Sequence, residues 1–428
     1  MHGGQHVQSH PHKISLLPSA PFKVLDAPGL RDDFYCSIMA YDSNSNTLAV
    51  GLGGLLYSWD EATGVILLNG AFRDSSWLTS MAFSSEAGEK SILAFGRSNG
   101  VLMLMSMYDR LLPRIETALS SPVACVSWRP TPVPRKSLNP FGSGATVLTE
   151  DLVVGDEAGD VYYYAVEWPD NWEVARDNWP GAITLIAHIK VHSQQVCGLA
   201  WSNFGEQFAT GGNDNLCCLF DVDKIVADNS TPDTTVRSLP RGSERQRWRH
   251  SAAVKAIAFC PWRRGLLATG GGSNDKCIHF YHAGSGATLA TIAVSAQVTS
   301  LIWSTTRREI AATFGYAQPD HPYRIAVFSW PDCRQIAAIP WEGEHRALYA
   351  IPYPGGPRET YHHKAGKRQS RTAAEGCIVV ASSDESIKFH EIWLAERKAT
   401  TGLGSGVLGG SDILEMTEGI DKEGDVIR

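Results

Sequence analysis

The stretch "GGNDN" at Gly211–Asn215 sets two amides and a carboxylate between the apolar runs "VCGLAW" and "LCCLFD". Such a cluster can hydrogen-bond a peptide, or it can close a β-turn, because Asn and Asp bond their own backbone; for Asp214 the turn is the preferred reading. Covalent chemistry is not suggested. The sequence has no G-x-S-x-G, no G-x-x-x-x-G-K-[ST] and no H-E-x-x-H, and "GLGGLL" at Gly51–Leu56 fails the last position of G-x-G-x-x-G. No paired acid and base stand out, so an enzyme is the least favoured class. Nine cysteines with no C-x-x-C pair fall mostly in strand-like runs (Cys125, Cys197, Cys218, Cys260) and are expected as buried thiols rather than metal ligands or disulfides. His2, His6, His10 and His12 could chelate a metal adventitiously, but no acidic or Cys partner completes a site; no cofactor and no metal are expected.

The elements that must position the cluster repeat. Short β-prone stretches broken by Asn203, Gly205 and the glycine pair make a strand-turn-strand-turn-strand unit. Its opening pattern, small or apolar residues ending in an aromatic, recurs as "SMAF" (Ser80–Phe83), "CVSW" (Cys125–Trp128), "GLAW" (Gly198–Trp201), "AIAF" (Ala256–Phe259) and "SLIW" (Ser300–Trp303). The aromatics stand 45, 73, 58 and 44 residues apart, the period of a WD-type blade with two surface insertions. His192, His250 and His345 open units, and "SWD" at Ser58–Asp60 and "LFD" at Leu219–Asp221 close them. Seven units are read, beginning near Asp33, Trp77, Pro122, His192, His250, Ala293 and His345. The expected fold is all-β: a seven-bladed WD-repeat β-propeller over 21–396, between flexible tails at 1–20 and 397–428.

A net charge of −7 argues against nucleic acid as the main partner. No apolar run reaches membrane-spanning length, and "MHGGQHVQSHPH" lacks the apolar core of a signal peptide, so an intracellular protein bound to no membrane is expected. A monomer working in nucleus and cytoplasm is the further expectation. Two inserted segments concentrate positive charge, "RGSERQRWRH" (Arg241–His250) and "RETYHHKAGKRQSR" (Arg358–Arg371). Each is read as a solvated loop, with a nuclear-import signal or an acidic-partner patch as the alternative. "STPDTT" (Ser230–Thr235) and "TGLGSGVLGGS" (Thr401–Ser411) are flexible by composition.

"KVLDAPGLRDDFY" (Lys23–Tyr35), "VCGLAW…ATGGNDNL" (Val196–Leu216), "AVKAIAFCPWRRGLLATGGGSNDKCIHFY" (Ala253–Tyr281), "SSDES" (Ser382–Ser386) and the terminal Ile427-Arg428 together resemble the Fizzy and Fizzy-related activators of the anaphase-promoting complex. The resemblance runs from about Lys13 and is strongest in the first, fourth and fifth blades. "KVLDAP…DDFY" leans towards the Fizzy-related branch, and the divergent blades towards a meiosis-specific fungal member.

That resemblance implies a non-catalytic substrate receptor for a ubiquitin ligase, its partners being ligase subunits and proteins bearing a destruction box (Arg-x-x-Leu) or a Lys-Glu-Asn box. Asp26 and Glu385 would hold the Arg, since carboxylates are the natural anchor for a guanidinium, and Leu25 and Ile66 would line the leucine pocket. Capping of the turn before Pro28 for Asp26, and core packing for Leu25 and Ile66, are the plain alternatives. The Lys-Glu-Asn peptide would meet Asp33, Phe34, Asn213, Asn215, Ser273, Gln297 and Arg346, with Asp33 for its Lys and Arg346 for its Glu. Phe34 replaces a common tyrosine and loses a hydroxyl; Ser273 replaces threonine and keeps one. Ile427-Arg428 resembles the family's docking tail for a tetratricopeptide subunit. The family's amino-terminal Asp-Arg-aromatic-Ile-Pro motif has no match, which implies either truncation or a receptor that docks without activating. A WD-type scaffold of another complex is the second reading, a propeller enzyme the third.

Overall fold

The computed structural model describes residues 15–70, 75–109, 112–142, 144–226, 236–318, 321–340, 343–357 and 376–393. Their strands form seven antiparallel-cored sheets, the blades of a propeller. Blade 1 runs from Met39–Asp42 to Gly64–Asn69, blade 2 from Leu78–Phe83 to Ile115–Ala118, and blade 3 is built on Val123–Trp128. Blade 4 holds Val196–Trp201, Gln207–Gly212, Leu216–Asp221 and Gln246–Arg249; blade 5 runs from Val254–Phe259 to Thr288–Ala293, and blade 6 from Val298–Trp303 to Gln335–Pro340. Blade 7 has Ala347–Tyr353, Cys377–Ser382 and Ser386–His390, with Lys23–Asp26 from the chain start as its fourth strand.

The first strand of each blade packs on the first strand of the next, and the ring closes where Ala347–Tyr353 meets Met39–Asp42. The aromatic ending the repeated motif explains part of that packing. The indole N–H of Trp128 donates to the Ala82 carbonyl at 3.0 Å, that of Trp201 to Ser127 at 3.2 Å and that of Trp303 to Ala258 at 3.1 Å, each reaching one blade back. Glycines in the second strands allow the close approach. A Cβ on Gly211 would stand 2.2 Å from the Val254 carbonyl oxygen, and one on Gly270 2.4 Å from a Val298 methyl.

The register closing the ring pairs Leu25 with Ile387 and Asp26 with Ser386, so this part of the chain start lies inside the last blade. Such closure ties residues some 360 positions apart.

Three expectations need correction. Residues 15–17, assigned to the flexible tail, add a parallel strand (Ser15–Leu16) to blade 6, and Leu17 is buried. The first blade starts at Met39 rather than near Asp33, because Arg31–Cys36 crosses the face of the ring first. Within the basic segment 241–250, Gln246–Arg249 is the outer strand of blade 4: Trp248 is buried among alternating exposed neighbours, and Arg245 pairs with Asp221 at 3.0 Å. The charges there mark the solvent side of a half-buried strand. Segments 230–235, 358–371 and 401–411 lie outside the described residues. The nine cysteines are free and mostly buried in strands, and burial pushes thiols such as Cys125 up to about 12. No described helix is long and apolar enough to cross a membrane.

Candidate functional site

Two clusters lie on one face of the ring, where second strands end and first strands begin. The first sits at the ring closure. Asp26 ends its strand opposite Ser386, and the Ala27 amide donates to the Glu385 carbonyl at 2.8 Å. Both carboxylates are therefore at the same end of blade 7, both are exposed, and neither pairs with a cation among the described residues. Their neighbour Asp384 differs. Burial pushes its pKa up, but hydrogen bonds from Lys388, Ser386 and Ser382 prevail and bring it down to about 2. The turn is thus held by Asp384, and Glu385 is free for something else.

Leu25 faces the other way from Asp26 and is partly buried against the core of blades 1 and 7. Ile66 stands on the outer strand of blade 1, 36% exposed, between the more exposed Val65 and Leu67. Blade 1 is tied to the closing strand by Lys23, 2.9 Å from Glu61 and 4.5 Å above the Trp59 ring.

The second cluster surrounds Arg31–Cys36. This segment touches blades on opposite sides of the ring, contacts available together only at its axis. The Arg31 guanidinium lies 4.3 Å from the Trp77 ring of blade 2, Asp32 pairs with Arg346 of blade 7, and the Tyr35 hydroxyl donates to Asn213 Oδ1 of blade 4 at 2.9 Å. From blade 5, Lys255 Nζ donates to the carbonyls of Phe34 and, at 2.8 Å, Cys36, beneath the rings of Phe34 and Tyr349. Lys255 is buried, and desolvation brings its ammonium down to about 8 against the opposing pull of Cys36, Cys125, Asp33 and Cys197. It clamps the segment across the channel mouth.

Most polar groups of this cluster already have partners. Asn213 donates to Gln194 Oε1 at 2.9 Å, Gln297 Oε1 accepts the Tyr316 amide at 3.1 Å, and Asp33 accepts the Tyr35 amide at 2.9 Å. Asn215 is left-handed at φ 67°, a conformation its short polar side chain tolerates. Ser273 occupies the corresponding turn of blade 5, and both residues are half-buried. Asp214 is the turn aspartate expected: it takes His192 Nδ1 and the Ser193 amide, each at 2.9 Å. Burial acts against its ionisation, but the His192 contact wins and lowers its pKa.

Asp33, Phe34, Asn213 and Arg346 are therefore joined through the crossing segment, while Asn215, Ser273 and Gln297 belong to turns on the same face. Sequence reasoning missed Asp32, Tyr35 and Lys255. Tyr35 supplies, one residue along, the hydroxyl that Phe34 lacks. Lys255 carried a readable signal, a lone cation inside the apolar run "AVKAIAF". Ile427 and Arg428 lie outside the described residues.

Comparison with known proteins fits this architecture. The CDC20/Fizzy WD40 domain profile matches residues 25–390. The chain belongs to the CDC20/Fizzy WD40 family. Within that family it is 32% identical over 421 residues to meiotic fizzy-related protein 2 of Schizosaccharomyces pombe, covering 95% of this chain and 70% of that protein. It is 29% identical over 430 residues to the meiosis-specific APC/C activator protein AMA1 of Saccharomyces cerevisiae, covering 94% and 62%. An uncharacterized WD repeat-containing protein of S. pombe is 34% identical over 412 residues, covering 94% and 65%, so the chain spans about two thirds of the length of these relatives. A chain in a crystal structure of the mitotic checkpoint complex superposes with a TM-score of 0.64 at 28% identity, over 92% of this chain and 96% of that one. This CDC20/Fizzy chain is thus a homologue of activators of the anaphase-promoting complex, which are non-catalytic WD40 proteins with cell-cycle and meiotic members.

Proposed function

We propose that this chain is a substrate receptor of the anaphase-promoting complex, working in nucleus and cytoplasm. It takes the Arg of an Arg-x-x-Leu degron between Asp26 and Glu385, and a Lys-Glu-Asn degron at the channel mouth. The observation that carries the reading is the pair of exposed carboxylates at the ring closure, adjacent through the Ala27–Glu385 bond and without a cation partner among the described residues. A guanidinium binds two such groups by charge-assisted hydrogen bonds. Glu385 stands at φ 57°, the left-handed turn position that Asn215 and Lys276 fill before the third strands of blades 4 and 5. Leu25 and Ile66 border the cleft as the leucine contacts, and Ile427 and Arg428 dock the chain on a tetratricopeptide subunit of the ligase.

Fluorescence anisotropy with a labelled Arg-x-x-Leu peptide tests the reading. Asp26→Ala and Glu385→Ala should each cost about 2–5 kcal/mol of binding, since each leaves the bound Arg without one partner. Absence of binding by the unmodified chain would instead favour a WD-type scaffold for a different partner.

A further inference from the structure

Blades 4 and 5 carry equivalent turn machinery, but only blade 4 satisfies it. In blade 4, His192 is held from both sides, with Nδ1 2.9 Å from Asp214 Oδ1 and Nε2 2.8 Å from Thr210 Oγ1. In blade 5, His250 Nε2 lies 3.2 Å from Thr269 Oγ1, but Nδ1 is 3.6 Å from Asp275 Oδ2, beyond hydrogen-bond reach. That nitrogen has no hydrogen-bond partner, although the side chain is 0% exposed. The cause is His279, which stands opposite Thr269 where Cys218 stands opposite Thr210. Its Nε2 takes Asp275 Oδ1 at 2.9 Å and draws the carboxylate away from His250.

Each imidazole also has its far nitrogen on a threonine hydroxyl: His250 Nε2 on Thr269, and His279 Nδ1 on Thr291 Oγ1 at 3.1 Å. A hydroxyl accepts as readily as it donates, so both rings can keep their proton on the threonine side. The lone pairs of His250 Nδ1 and His279 Nε2 then face Asp275. The three ligand atoms lie within 4.8 Å of one another, and His279 keeps 19% exposure as a way in. Ligands about 2 Å from a tetrahedral zinc ion are about 3.3 Å apart; His279 Nε2 and His250 Nδ1 stand 2.9 and 3.6 Å from different oxygens of Asp275, so an ion would draw both rings in towards one of them.

We propose that His250, Asp275 and His279 form a binding site for a divalent transition-metal ion of the zinc class, with water as the fourth ligand. Two imidazoles and a carboxylate are a donor set for such an ion, and the two threonines and the Ser251 amide, 2.8 Å from Asp275 Oδ2, form the outer shell that orients it. The three residues are 25 and 4 positions apart in the chain and show no ligand spacing, so the sequence led to the opposite expectation.

The test is calorimetric titration of Zn2+ into the full chain carrying His2, His6, His10, His12, His362 and His363→Asn, which removes the clustered histidines of the amino terminus and of the segment 358–371. One ion per chain is expected, with His279→Gln lowering the affinity at least a hundredfold and Thr291→Val, which touches only the outer shell, about tenfold. Zn2+ should raise the melting temperature of the parent and leave that of His279→Gln unchanged. No stoichiometric binding by the parent, or equal affinity in parent and Thr291→Val together with an unchanged Zn2+ response in His279→Gln, would overturn the proposal.

Discussion

The two clusters on the ring face differ in what they hold before any peptide arrives. At the ring closure, Asp26 and Glu385 are exposed and have no cation partner among the described residues, while the neighbouring Asp384 takes the structural load through Lys388 and Ser386. At the channel mouth the groups are engaged already: Arg346 with Asp32, Asn213 with Tyr35 and Gln194, Gln297 with the Tyr316 amide. The first cluster can accept a cation with no internal rearrangement. The second must exchange internal partners for external ones, so its affinity is a difference between two sets of hydrogen bonds. Carboxylates kept free give strength, and a pre-bonded surface gives discrimination, because a wrong ligand leaves the displaced groups unpaired.

The contrast sharpens most at Lys255. Lys255→Met should weaken a Lys-Glu-Asn peptide about tenfold by releasing the Phe34 and Cys36 carbonyls, and leave an Arg-x-x-Leu peptide unaffected; titrating both peptides checks it. The same residue sets a pH dependence of known sign. Its pKa falls from 10.5 unfolded to about 8 folded, so between those values the unfolded chain binds more protons and global stability gains from this group as pH rises. The Lys-Glu-Asn affinity should move oppositely and fall above about pH 8 as the clamp loses its charge. Denaturation midpoints and peptide titrations from pH 7 to 9.5, with Lys255→Met lacking both trends, measure the pair.

Smaller effects follow from single contacts. Tyr35→Phe removes the hydroxyl that orients Asn213 and should cost about 1 kcal/mol of Lys-Glu-Asn binding, read by the same titration. Asp32→Ala should do the reverse. It frees Arg346 from an exposed pair worth about 0–1 kcal/mol, so the peptide's Glu should bind up to about fivefold tighter. An unchanged affinity in Asp32→Ala would show that the channel mouth does not trade internal for external partners.

Seven blades were legible because their repeats carry Trp128, Trp201 and Trp303 at set places, and each of these indoles bonds the preceding blade. Family resemblance pointed to Asp26 beside Glu385, and the closing strand brings them together. What sequence could not convey was pairing across the ring. The Asp32–Arg346 pair and the Tyr35–Asn213 bond join residues 314 and 178 positions apart, and no local pattern encodes such contacts. The outer strand Gln246–Arg249 was missed because its alternation is short and its exposed positions are all charged or polar.

A double-mutant cycle between Asp26→Ala in the protein and Arg→Ala in the Arg-x-x-Leu peptide, followed by anisotropy, bears most directly on the receptor function. If Asp26 holds the peptide's guanidinium, the Asp26→Ala loss should vanish with the Ala peptide, giving a coupling as large as that loss, about 2–5 kcal/mol. Equal losses with both peptides would mean that Asp26 does not meet the Arg, and would contradict the placement of the degron at the ring closure.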